Sequence, residues 1–125
     1  MEPPAEKSTE RNYSGGARAM LFILFLLHAT TVPTAFLAPE RLADPIQAPV
    51  WTSYAFGTTS LFACVFLVLA WRWRKWAVYG VFATTLADAS VAHLFTADAS
   101  ATVIMNGVIV FSLYLVVRNR WEFFR

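Results

Sequence analysis

Four long apolar stretches fill most of this 125-residue chain, and the gaps between them alternate between rich and poor in cations. A run of roughly 20 apolar residues, rising ~1.5 Å per residue as a helix, crosses a hydrocarbon core ~30 Å thick. Lipid offers no hydrogen bonds, so each crossing segment must satisfy its own backbone, which a helix does. The expected fold is therefore all-α: an integral membrane protein built as an up-and-down bundle of four transmembrane helices. Hydrophobic residues make up 58% of the chain and charged residues 14%, against about 25% charge in a soluble domain. A soluble domain of this size could not hide so much apolar surface.

The pattern along the chain assigns the segments. Residues 1–17 are polar, with Pro3, Pro4, Gly15 and Gly16, and too little apolar surface to order themselves; they are expected to form a disordered tail. The first span runs from about Ala19 to Ala38, with Pro33 expected to kink it or end its regular part. A cleaved leader is the rival reading, but Ala38 follows Phe36 and Leu37 and precedes Pro39, which is not a small-x-small cleavage site. Pro39 to Pro49 holds three prolines and reads as an extended loop. Further spans cover about Val50 to Trp71, Ala77 to Phe95 and Ala101 to Val117. Asp98 or Ser100 is placed to cap the last of them. Residues 118–125 form a basic, aromatic tail suited to the headgroup layer.

Orientation follows from the cations. Lys7, Arg11, Arg18, Arg72, Arg74, Lys75, Arg118, Arg120 and Arg125 fall on one side and Arg41 alone on the other. By the positive-inside rule both termini are expected in the cytoplasm, with the bundle in the cell (inner) membrane. Arg72, Arg74, Lys75, Arg118 and Arg120 are the expected contacts to anionic lipid headgroups. Interleaved Trp and cations at Trp71 to Trp76 read as a tight hairpin turn with its aromatics in the interface belt. The net charge of +2 does not signal nucleic acid, because the cations flank spans and form no basic face. The single cysteine, Cys64, excludes an intrachain disulfide and reads as a packing residue. No metal site is expected.

Polar residues at membrane depth carry what functional signal there is. Counted at ~1.5 Å per residue from the cationic side, His28 lies ~15 Å deep, Ser60 and Asn106 ~18 Å, and Asp88 ~20 Å. Each helix thus offers one hydrogen-bonding side chain at nearly one level. Turning them toward lipid costs several kcal/mol, so all four are expected to face inward as one polar layer. Thr59, Thr84, His93 and Tyr114 are secondary polar positions. On the third span Gly80, Thr84, Asp88 and Ala92 recur every four residues, as do Ala55, Thr59 and Ala63 on the second; on the fourth, Asn106, Val110 and Tyr114 are expected to form one stripe. Small residues at this spacing allow close helix approach. Asp88 reads either as a structural hydrogen-bonding group, protonated or partnered, or as a relay or ligand contact. His28 and His93 differ in depth by about 12 Å, which disfavours one haem held axially between them in a monomer.

This layout resembles the DoxX-like group of small four-helix bacterial membrane proteins. The likeness rests on Thr34 to Pro39 closing the first span, the longer loop before the second, the Trp/Arg turn leading into Trp76 and Ala77, His93 late in span three, and Asn106 early in span four. The resemblance implies an accessory subunit of a membrane redox or stress-response assembly and supplies no catalytic residue. The leading expectation is a non-catalytic bundle that binds a membrane partner, lipid or a second copy of itself. The rival is a small proton-coupled or solute transporter built on the polar layer. A third is an oxidoreductase subunit touching quinone or haem.

Overall fold

The computed structural model describes residues 15–96, 100–118 and 120–125. Four long helices, α1 (Gly15–Leu37), α3 (Val50–Trp71), α4 (Lys75–Phe95) and α5 (Ser100–Val117), are each long and apolar enough to cross a membrane, and a short α2 (Glu40–Ala43) lies between the first two. The described residues contain no strand. This is a multi-pass, all-α membrane bundle. Helix α1 packs on α3, α3 on α4, α4 on α5, and α5 returns to α1; this last neighbour pair is the sparsest. Large side chains such as Ile23, Phe62, Leu86 and Ile104 point outward along every long helix, as a lipid-solvated surface requires.

Close approach at two glycines sets the packing. A Cβ on Gly57 of α3 would sit 2.6 Å from Ala35 Cβ on α1, so only glycine lets these backbones come so near. A Cβ on Gly80 of α4 would meet the Phe66 ring of α3 at 2.7 Å. Such contacts replace the hydrophobic drive that lipid removes.

Several boundaries differ from the sequence reading. Gly15 and Gly16 belong to α1, which therefore begins inside the segment 1–17 expected as a tail; residues 1–14 and Asp98 lie outside the described residues. Helix α1 continues through Pro33 to Leu37. The segment after Pro39 is coiled and not extended: α2 is followed by a 3-10 turn at Asp44–Ile46. Two of its prolines occupy helix-entry positions, Pro39 before α2 and Pro45 in the first turn of the 3-10 segment. There a missing N–H costs nothing. Ser53 Oγ donates to Pro39 O at 2.7 Å and anchors this segment to α3.

At the opposite end the tail folds back. Arg125 N donates to Trp73 O at 2.8 Å, and Lys75 N donates to Arg125 O at 2.7 Å. The Trp73 ring is therefore not in an outward aromatic belt. Its backbone is left-handed (φ 64°), and its buried ring meets Phe124 at 5.1 Å and Phe123 at 6.1 Å. Lys75 Nζ stands 4.9 Å over the Trp121 ring. Phe124 is only 5% exposed, so the tail docks on the α3–α4 turn and does not simply lie among headgroups. Leu21, Leu67, Ala77, Val78, Leu113 and Val117 pack with Trp73 and Phe124 into one apolar plug that seals this end.

Candidate functional site

The polar layer is a cavity. Between α1 and α5, floored by α3 and α4, lies a space of about 310 Å³ lined by Leu27, His28, Thr31, Leu42, Phe56, Ser60, Asp88, Ala101, Thr102, Met105, Asn106 and Ile109. It extends from mid-span to the α2 end, where Leu42, Ala101 and Thr102 form its margin. Its position follows from the packing: small residues close the α1–α3 seam, while the sparsest pair, α1 and α5, leaves room between them.

His28, Ser60, Asp88 and Asn106 all line this cavity, and each is more than nine-tenths buried. His28 Nδ1 lies 3.4 Å from Ser60 Oγ, joining α1 to α3. The Thr59 hydroxyl is hydrogen-bonded to Asp88 Oδ1, joining α3 to α4. The same Thr59 oxygen lies 3.0 Å from Phe56 O and 3.2 Å from Ala55 O. Thr59 thus shares its proton between Asp88 and the carbonyls of its own helical turn.

Two polar atoms remain without partners. His28 Nε2 and Asn106 Nδ2 are buried, and neither has a hydrogen bond. An unmatched buried polar group costs ~1–3 kcal/mol, and here both belong to residues that line one cavity, although neither nitrogen opens onto it.

The secondary positions separate. Thr59 is half-buried and joins the layer through Asp88. Thr84 is buried, but its hydroxyl donates to Val81 O at 2.8 Å, and it does not line the cavity. His93 is exposed on the outside of α4. Tyr114 is 51% exposed, so the expected stripe of Asn106, Val110 and Tyr114 is corrected: the buried stripe of α5 is Asn106, Ile109, Leu113 and Val116 or Val117. At ~100° per residue, eight residues drift ~80° around a helix, which carries Tyr114 off the inner face.

Among the expected headgroup contacts, Arg72, Arg74 and Arg118 are exposed. Arg120 and Lys75 are partly exposed and stand over the rings of Phe123 and Trp121. Arg72 also borders a second cavity, of about 290 Å³ and otherwise apolar, between α1 and α3. No group of three or more His, Cys, Asp or Glu that could hold a metal occurs among the described residues.

Sequence reading did not find Thr31, Leu42, Phe56, Thr102 and Met105 as cavity walls. Nothing in an apolar span marks which aliphatic side chains border a space. Comparisons with family models, curated proteins and solved structures return no match to this chain. Nothing in them bears on the DoxX-like resemblance.

Proposed function

We propose that this protein binds a small solute inside the membrane, as a minimal carrier built on the His28, Ser60, Asp88 and Asn106 layer. One observation carries the reading: four buried polar side chains, one from each long helix, line a single cavity of about 310 Å³. A layer that served only to fix helix register would pair its own groups, as Thr59 and Asp88 do. Here the layer instead borders open volume.

The cavity's shape supports the same reading. It reaches the α2 end, while the plug around Trp73 and Phe124 closes the other. That is one half of an alternating-access cycle, with the site near mid-depth as in larger carriers. The nine-to-one cation bias supports a cytoplasmic side for the plugged end and both termini, in a cell membrane. The exposed cations Arg72, Arg74 and Arg118 then meet anionic headgroups.

Vesicle swelling tests this. Proteoliposomes are shifted into iso-osmotic acetamide, glycerol or ethanolamine, and light scattering is followed. At least one solute enters faster than into protein-free vesicles, and Met105→Trp, which fills the cavity, removes the difference. Rates equal to those of protein-free vesicles for all three solutes would overturn the carrier reading.

A further inference from the structure

We infer that the solute of this cavity is a small organic cation, an ammonium group on a short apolar body, whose charge is matched by the Asp88 carboxylate. The inference rests on the binding reading above and names the class of its ligand. The second oxygen of Asp88 carries it. Oδ1 takes the Thr59 hydroxyl. Oδ2 has no hydrogen bond from any described residue, and it is not one of the fully enclosed unpartnered atoms, which are His28 Nε2 and Asn106 Nδ2. A carboxylate has room for about four hydrogen bonds. What remains open of Asp88, 8% of its surface, faces the cavity that it lines. Asn106 Oδ1 stands in the same condition on α5: its amide makes no hydrogen bond among the described residues, and only its nitrogen is enclosed. The wall therefore presents acceptors from α4 and α5, while its two unpartnered nitrogens are shut away.

Charge selects the cation among the ligands that acceptors could take. No Lys or Arg lines the cavity. The other titratable group there, His28, bonds Ser60 and makes no ion pair with Asp88. A buried carboxylate without a counter-charge is costly, and an incoming cation supplies one. A carboxylate solute would instead set a second negative charge beside the first. Leu27, Phe56, Met105 and Ile109 suit a hydrocarbon body and not a hydrated metal ion. An apolar cavity of ~150 Å³ holds a benzene ring. The volume here is about twice that, so an ammonium group and a short chain fit together. The approach agrees in sign: exposed Glu40 and Asp44 stand against Arg41 at the α2 end, where the cavity reaches its margin.

The test uses the full chain in nanodiscs, with 13C in the carboxyl groups of its aspartates, Asp44, Asp88 and Asp98. The signal missing from Asp88→Asn identifies Asp88. Butylamine, butyramide and butyrate, matched in length, are titrated at neutral pH, where the amine is a cation, with empty nanodiscs as the blank. Butylamine shifts the Asp88 signal saturably; butyramide and butyrate do not. Calorimetry on Asp88→Asn shows butylamine affinity lowered about thirtyfold or more, the loss of a buried charge partner. If that variant does not fold, Asp44→Asn and Asp98→Asn assign the signal by elimination, and Met105→Trp, which fills the cavity, abolishes the shift. Butyramide or butyrate shifting the signal as butylamine does overturns the inference, as does unchanged affinity in Asp88→Asn or a shift that survives Met105→Trp. No butylamine response alongside solute-specific vesicle swelling also overturns it while leaving the carrier reading in place. No response to any of the three probes, with no swelling, removes both.

Discussion

Replacing Gly57 by alanine tests the closest helix contact in the bundle. The added Cβ would lie 2.6 Å from Ala35 Cβ and 3.0 Å from the Phe36 ring. Carbon atoms prefer separations of ~3.5–4.0 Å, so the two helices must part by roughly 1 Å. Ala35 Cβ is fixed to its own backbone and cannot rotate away. Such overpacking costs ~1–3 kcal/mol, offset by at most ~1 kcal/mol from the better helix propensity of alanine. The expected net loss is about 1 kcal/mol, a fivefold shift toward unfolding. Gly107 supplies the control, because a Cβ there meets nothing within 4 Å. Gly107→Ala should leave stability unchanged or raise it by up to ~1 kcal/mol. Gly80→Ala should fall between them, since the Phe66 ring can turn, although Trp76 packs edge-on against it at 6.0 Å. Unfolding in mixed dodecyl maltoside–SDS micelles, followed by tryptophan fluorescence, measures all three. If Gly57→Ala proves as stable as Gly107→Ala, the α1–α3 approach is not the tight contact described.

Three further outcomes are expected. Asp88→Asn should stay within ~0.5 kcal/mol of the parent and Asp88→Leu should lose about 1 kcal/mol, with a Thr59–Asp88 coupling of ~0.6–1.7 kcal/mol in a double-mutant cycle; a coupling of zero removes the α3–α4 bond from the account. Phe124→Ala empties a site walled by the Trp73 and Trp121 rings and should cost ~3 kcal/mol while speeding tryptic cleavage after Arg120, which limited digestion and mass spectrometry measure. A cysteine placed at Asp44, with Cys64 changed to alanine, should react with an impermeant thiol reagent on intact cells; labelling only after lysis reverses the orientation.

The four long helices were legible because bilayer thickness and backbone satisfaction leave few alternatives. Their ends agree with the sequence reading to within one or two residues, except that α1 starts four residues earlier, at Gly15. Counting from flanking cations put His28, Ser60, Asp88 and Asn106 at one level, and the structure brings all four to one cavity. Azimuth was not. Apolar residues surround each helix, so only polar ones mark an inner face, and a four-residue repeat followed for two turns misplaced Tyr114. Partners escaped for the same reason. The four-residue repeat set Thr59 apart from Thr58 but did not name its partner: Thr59 bonds Asp88, while Thr58 bonds its own backbone. The inward turn of Trp73 depends on a left-handed residue that propensity would not place on tryptophan.

The uneven seams have a mechanical consequence. Helices α1, α3 and α4 are joined by glycine contacts and by the Thr59–Asp88 link, so they form a stiff frame. Helix α5 leans on that frame beside a hollow and keeps its firmest hold near the Trp73 latch. If the hollow opens further, this is the helix expected to move. Spin labels on Val103 and Ile23 would register its travel, whereas a pair on α1 and α3 would stand still.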